Sequence, residues 1–517
     1  VPVIKEETRN LSINQALDLG VELGLAGNFK AAVTMFRGVL VHDPDNFEAM
    51  ERLGSALFEG RQYYEALYWF WRGLKMEHRD PMALTNYGLC VSQLGHWEEG
   101  LTFLARAAHI ADKRLREGKP ISNEAMALIW NNLGNCLERL KRYPEALEAL
   151  DKGLSFKADD PFPLYNRGIV LLRLNRQEEG VASLDKAVAL KPNDYDAIYN
   201  RGMGHLLLGR LEQGFADYEA RLLTTENKCP NLGLPVEKKW NGEDIAGKTL
   251  LCHAEQGLGD TIQSLRFIPQ LQALGARVVL VVHKELTSLA RAMPDVEILE
   301  PGSSLEGQYD RWVALMSLPY YLGIKDEKDL LPVWEPSGHP LVKWEDDLGL
   351  PKDKLNIAIC WAGNFQHKND VHRSIPLLNF ATLFEVPHCN FISVQQMRPG
   401  EVETFANLKK GYPNLQALWL EDMADTAAVL DCVDMCISVD TAVLHLAGTL
   451  GVPTIGLIPK HGTDWRWQVK RTDSPWYPSM TLYRQDVVGD WRPTLRRVRA
   501  HLEGLVRTMH AIEGAVA

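Results

Sequence analysis

Trp130-Asn131-Asn132-Leu133-Gly134, followed by Tyr143, Ala146 and Leu150, is the stretch on which the fold turns. It returns as Tyr199-Asn200-Arg201-Gly202, followed by Leu211, Gly214 and Tyr218. Gly20, Gly54 and Gly88 stand 34 residues apart, and so do Gly134, Gly168 and Gly202. The 46 residues from Gly88 to Gly134 make one such period plus an insertion of 12. A period of this length predicts one helix pair per repeat. The glycine lets the two helices approach, a small residue on the second faces it, and Pro44 or Pro192 stops the pair.

This pattern is identified as the tetratricopeptide repeat, met six times between Ile13 and Leu222. It implies an all-α superhelix over residues 1–225, with the insertion at 112–127 lengthening the second helix of the third repeat and adding a loop. Four repeats place asparagine two residues before the glycine: Asn86, Asn132, Asn166 and Asn200. One recurring helical position puts them on one face, as a ladder along the groove. A carboxamide offers an acceptor and two donors, which suits the backbone of an extended protein acceptor. Hydrogen bonding from helix to helix is the other use such a ladder has.

The totals fit a folded, multi-domain protein. At 517 residues the chain exceeds one core and predicts about three folding units. Net charge is −11 without a long basic run, which speaks against a nucleic-acid surface. No apolar run approaches the roughly 20 residues of a membrane span, and no segment reads as a signal peptide. Eight scattered cysteines without a C-x-x-C pair predict reduced, buried thiols in a cytoplasmic protein and no cysteine-bound metal.

Beyond a linker at 226–246 the texture changes to short β-branched runs alternating with helical stretches. Strands are expected at 249–253, 278–282, 311–313, 356–360, 390–394, 435–439 and 454–457. The alternation predicts two parallel α/β sheets, at 247–345 and 346–490, with a final helix in 491–517 packing back on the module. Gly242-Glu-Asp-Ile-Ala-Gly-Lys-Thr249 matches a phosphate-binding loop in letters, but it leads into a strand where such a loop must leave one.

Three loops carry the chemistry. His253-Ala-Glu-Gln256-Gly257-Leu-Gly259-Asp260 follows a strand and opens a helix, so Asp260 is either a helix cap or a reactive carboxylate. Cys360 to Ser374 crowds His367, Lys368, His372 and Arg373 past the next sheet's first strand, where a pyrophosphate would sit. Ser438-Val-Asp440-Thr441-Ala-Val-Leu-His445 again runs from strand to helix. There Thr441 would cap the helix and expose its first N–H groups to an anion. Trp465 and Trp467, in the loop after the last of these strands, either stack on sugar or anchor the loop, and the sugar or acceptor contact is the expectation.

These motifs resemble glycosyltransferase family nine, which includes the bacterial lipopolysaccharide heptosyltransferases and has a GT-B fold of two Rossmann-like domains. The joining of repeats to such a module is similar to bacterial protein glycosyltransferases, including flagellin-modifying ones, and to O-GlcNAc transferase. The resemblance implies a metal-independent, cofactor-free, inverting transfer from a nucleotide-sugar to serine or threonine of a protein acceptor held by the repeats. It makes Asp260 the general base and Gly257 and Gly259 part of the donor cleft. Lys368, Arg373, Asp440, Thr441 and His445 fall at the donor phosphate, Gln395 near the nucleobase, and His253 and Gln256 near sugar or acceptor. Ala442 stands where heptosyltransferases have glycine, so their donor preference does not carry over. Two other functions are compatible with the motifs: a non-catalytic adaptor, and transfer to a lipid-linked saccharide. A protein acceptor predicts that removing residues 1–222 abolishes protein modification and leaves nucleotide binding intact.

Overall fold

The computed structural model describes residues 11–224, 233–330, 348–367, 369–398 and 400–516. Among the described residues, twelve helices come first. They are α1 (Ile13–Leu25), α2 (Phe29–His42), α3 (Phe47–Glu59), α4 (Tyr63–Met76), α5 (Pro81–Gln93) and α6 (Trp97–Arg116). Then follow α7 (Asn123–Arg139), α8 (Tyr143–Phe156), α9 (Pro161–Arg173), α10 (Gln177–Leu190), α11 (Tyr195–Leu207) and α12 (Leu211–Tyr218).

Each odd-numbered helix begins at a short polar cap: Ser12, Asn46, Asp80, Ser122, Asp160 and Asp194 all accept a bond from the first turn. The repeating glycine is explained by contact. A Cβ on Gly20 would lie 2.5 Å from the Phe36 ring, and one on Gly54 2.5 Å from the Phe70 ring. Only glycine lets the second helix of the hairpin come that close. The 20-residue α6 takes up part of the insertion, and the loop Glu117–Ile121 takes up more.

The chain divides into two compact units, residues 1–174 with 182–192, and residues 175–181 with 193–517. The junction expected at 225 lies inside the second of these units. Helices α11 and α12 belong to the second unit because Phe215, Tyr218 and Arg221 are buried within it.

The rest of the second unit holds two parallel sheets. The first has the order β3-β2-β1-β4, from β1 (Thr249–His253), β2 (Arg277–Val281), β3 (Val296–Ile298) and β4 (Arg311–Ala314). Cys252 pairs with both Leu280 and Val313, which fixes its register. The second sheet contains β5 (Leu355–Cys360), β6 (Cys389–Ser393), β7 (Leu415–Ala417), β8 (Met435–Val439), β9 (Thr454–Ile458) and β10 (Met480–Arg484). Its order is β10-β9-β8-β5-β6-β7. Read from β5, that order is the doubly wound one, reversing between β5 and β8. β3, β7 and β10 lie outside the expected strands, two of them being only three residues long. The junction expected at 345 falls outside the described residues.

Three helices position the site: α13 (Leu258–Ser264) after β1, α14 (Ala442–Thr449) after β8, and the long C-terminal α15 (Arg492–Val516). Helix α15 buries Leu495, Val498, Leu502 and Val506 in one core with Ile357, Ile359, Phe380 and Phe391. The Gly242–Thr249 segment is a turn leading into β1. Among the described residues no helix is long and apolar enough to cross a membrane.

Candidate active site

In a doubly wound sheet, ligands bind where the strand order reverses, past the carboxyl ends of the strands. Here that point lies between β5 and β8, where Cys360 and Ser438 are register partners. The loop after β5 is braced from beside it. Gln395 Oε1 accepts from the Trp361 and Ala362 amides at 3.2 and 2.9 Å, and its Nε2 donates to the Gln396 carbonyl at 2.8 Å. Gln395, expected near the nucleobase, thus spends its carboxamide on holding this loop. Arg398 ties the same loop down, bonding the Gly363 carbonyl, Asp370 Oδ2 and Ser374 Oγ at 2.5, 2.8 and 3.0 Å.

Arg373 lies across the switch point. Its Nη1 donates to the Asp440 carbonyl at 2.9 Å, and its guanidinium covers Gly363, where a Cβ would lie 2.7 Å from Nη2. Its Nε is buried and makes no hydrogen bond among the described residues, lying 3.8 Å from Asp370 Oδ1 as an ion pair. A guanidinium with a spare buried donor suits a phosphate oxygen. Lys368, the other cation expected here, lies outside the described residues.

Asp440 is buried at the start of the next loop, and its Oδ1 accepts from Trp467 Nε1 at 2.9 Å. Burial raises its carboxyl to about 6; Asp464 pushes the same way, and Arg373 and the Trp467 bond oppose. Thr441 precedes α14, as expected, but its side chain does not bond the helix. Its Oγ1 lies 3.1 Å from Ser438 Oγ. The first N–H groups of α14 are therefore not consumed by their own cap.

His445 is a packed residue. Its Nδ1 lies 2.9 Å from the Tyr477 hydroxyl, and its ring sits 5.1 Å from that of Trp467. Burial, then Arg466, Arg266 and Arg373, hold its pKa well below the ordinary value, so the ring is neutral. Its Cδ2 edge lies beneath Gly259, where a Cβ would come within 2.6 Å. The helices after β1 and β8 meet at this contact.

The loop after β1 sorts into support and site. His253 is only 1 % exposed, with its ring against Trp312. Gln256 meets the Tyr218 hydroxyl, 2.9 Å from Nε2 and 3.1 Å from Oε1. Gly257, not Asp260, is the N-cap of α13. Asp260 sits three residues further on, where its Oδ2 accepts from the Gly257 amide at 2.9 Å. Its other oxygen, Oδ1, accepts from Arg466 Nη2 at 2.5 Å.

Arg466 belongs to the turn Trp465–Trp467, which joins the two loops: Arg466 reaches Asp260 and Trp467 reaches Asp440. Arg466 also bonds Asp464, at 3.0 Å, and Gln263. The two tryptophans expected to stack on sugar are 3 % and 0 % exposed and present no open face. Trp465 is packed by Phe215, Tyr218 and Trp476. Arg466, Asp464 and Tyr477 escaped the sequence reading. The only signal was an arginine between two tryptophans, a composition that favours a buried cation.

In the repeats, the asparagine ladder is partly engaged. Asn86 Nδ2 donates to Glu51 at 2.7 Å, and Asn166 Nδ2 to Asn131 at 3.0 Å, each reaching one repeat back. Asn200 Nδ2 donates to the Asp196 carbonyl at 2.8 Å, and Asn132 is half-buried on α7. Burial raises Glu51 to about 7, against the Asn86 bond. Among the described residues, no three His, Cys, Asp or Glu side chains gather as metal ligands.

Comparison with known proteins places both halves. The tetratricopeptide repeat family matches residues 17–76, 127–160 and 163–194. Glycosyltransferase family 9 (heptosyltransferase) matches residues 395–484. Protein FlbA of Caulobacter vibrioides is 24 % identical over 311 residues, which cover 55 % of this chain and 51 % of FlbA. The chain thus spans about half the length of that relative. Among solved structures, the ADP-heptose lipopolysaccharide heptosyltransferase II of E. coli is 14 % identical, with a TM-score of 0.39 over 51 % of this chain and 99 % of that one. The tetratricopeptide-repeat protein YrrB, described as having an unusual peptide-binding site, is 18 % identical, with a TM-score of 0.28 over 36 % and 91 %.

Proposed function

We propose that this chain, which joins tetratricopeptide repeats to a segment of glycosyltransferase family 9, transfers a sugar from a nucleotide-sugar to serine or threonine of a protein. The observation that carries the reading is the meeting of Asp260 with the Asp440–Thr441 helix start through the Trp465–Trp467 turn. A base and a phosphate cradle, from different sheets, are thereby held together.

The chemistry follows from these groups. The acceptor hydroxyl gives its proton to Asp260 as its oxygen attacks the anomeric carbon of the donor. The bond from that carbon to the phosphate oxygen breaks, and the nucleotide leaves with the electron pair. Attack opposite the leaving group inverts the centre. General-base help of this kind contributes about 10²–10⁴-fold. Arg373, Lys368 and the open N–H groups of α14 offset the charge gathering on the leaving phosphate. His445, being neutral and packed under Gly259, supports the helix rather than the phosphate.

A protein acceptor is favoured because a repeat superhelix is a surface for extended partners. A flagellin is the acceptor that the resemblance to protein glycosyltransferases suggests, and the site of action is the cytoplasm.

Thermal unfolding of the full chain with each nucleoside diphosphate and with CMP tests the donor cleft. At about 100 times its Kd, one nucleotide should add roughly 2.7 kcal/mol. The gain should vanish in Arg373→Ala. No gain with any nucleotide would overturn the reading in favour of a non-catalytic adaptor.

A further inference from the structure

The last repeat does more than end the array. Arg221, in the turn Glu219–Leu222 after α12, is fully buried. It donates to both oxygens of Glu255, at 3.1 Å from Nε and 2.6 Å from Nη2, and to Ser317 Oγ at 2.8 Å. Burial disfavours its charge, yet Glu255 and Glu219 push its pKa above the ordinary value. Glu255 in turn accepts from the Met316 amide at 3.1 Å, just past β4. One buried guanidinium therefore fixes the loop after β1 and the start of the loop after β4.

A second tether runs beside it. The Tyr218 hydroxyl meets Gln256, the residue before the N-cap Gly257, whose amide holds Asp260. A third passes through rings. Phe215 and Tyr218 pack on Trp465 with centroids 5.9 and 6.3 Å apart, and the next residue, Arg466, grips the other oxygen of Asp260. Both oxygens of Asp260 are thus positioned by groups that the sixth repeat holds.

We infer that the sixth repeat is a working part of the active site, with Tyr218 and Arg221 as positioning residues for Asp260. This rests on Asp260 being the base, as proposed above. Neither residue touches a reacting atom. Each sets where the carboxylate stands, and a misplacement of about 1 Å can cost about a hundredfold in rate. A repeat that merely docked the acceptor would govern acceptor affinity alone. A repeat that places the base governs turnover with any acceptor, water included.

The test uses the full chain with Tyr218→Phe, which keeps the ring and loses only the bonds to Gln256. Arg221→Lys, which keeps the charge and loses the two-pronged grip, is the second variant. Donor hydrolysis by water, transfer to protein and donor Kd are measured for each, together with amide hydrogen exchange over residues 254–264. The inference expects kcat to fall about tenfold or more in both reactions, donor Kd to stay within about twofold, and exchange in 254–264 to quicken. Wild-type kcat in both folded variants, or a rise in acceptor KM alone, overturns it. Exchange that quickens in an enzyme where even the wild type turns over no donor retains the tether but rejects Asp260 as the base, and the positioning role with it.

Discussion

Arg466 Nη2 lies 2.5 Å from Asp260 Oδ1, so a side chain from the second sheet's loops holds a carboxylate that opens the first sheet's helix. The guanidinium is almost fully buried and spreads over Asp260, Asp464 and Gln263 at once. A lysine carries the charge but has one point of contact for three partners. Arg466→Lys should lower kcat about 10–100-fold with donor affinity little changed, as initial rates at saturating donor would read. An unchanged kcat would show that Asp260 needs no such hold.

Gly259 and His445 give a second expectation. Any side chain on Gly259 meets the edge of a packed imidazole already bonded to Tyr477. Gly259→Ala should cost about 1–3 kcal/mol through overpacking. The check is the denaturant midpoint at constant slope. A midpoint equal to the wild type would mean that the helices after β1 and β8 separate freely.

Asp440 gives a pH dependence whose sign is fixed. Its carboxyl titrates near 6 in the fold and near 4 in an unfolded chain, so the folded state binds more protons between those values. Stability from this group is full below about pH 4 and is lost as pH rises through 6. Asp440→Asn keeps an acceptor for Trp467 Nε1 and never ionises. It should be more stable than the wild type by roughly 3 kcal/mol at pH 7.5, from about 1.4 kcal/mol for each pH unit between those two values. The gap should close towards pH 4.5 in urea titrations. A constant gap would refute the assignment.

The unit boundary makes a fourth prediction. A chain beginning at Asn193 keeps Phe215, Tyr218 and Arg221 with the sheets they pack on. One beginning at residue 223 leaves Glu255 buried without its partner, a loss of about 3–5 kcal/mol. Only the first should unfold cooperatively on heating. Nucleotide binding is thus expected to survive removal of 1–192 but not of 1–222, which revises the outcome anticipated from the repeat count.

What the sequence disclosed and what it hid follow from physics of different range. The 34-residue glycine period was readable because a repeat glycine answers to a bulky side chain 16 residues on, as Gly20 does to Phe36 and Gly134 to Leu150. The buried strands Thr249–His253 and Met435–Val439 were readable as β-branched or apolar runs. Short edge strands such as Leu415–Ala417 carry too few residues for a pattern. Side-chain partners were hidden, because Arg466 finds Asp260 across 206 positions and Arg221 finds Glu255 across 34. Loop tryptophans look alike whether they stack on sugar or seal a core, and only burial separates the two. The asparagines recur at one position both in a peptide groove and in helix-to-helix bonding, and Asn86 and Asn166 bond neighbouring repeats.

Sugar transfer to protein with Asp260 as the base adds mass to the acceptor. Its most direct test is the intact mass of a serine- and threonine-bearing acceptor, such as a flagellin, after incubation with the full chain and a panel of nucleotide-sugars. One donor should add one or more sugar residues, at a rate reduced at least a hundredfold by Asp260→Asn. Donor binding without any gain in acceptor mass, or full activity in Asp260→Asn, would contradict it.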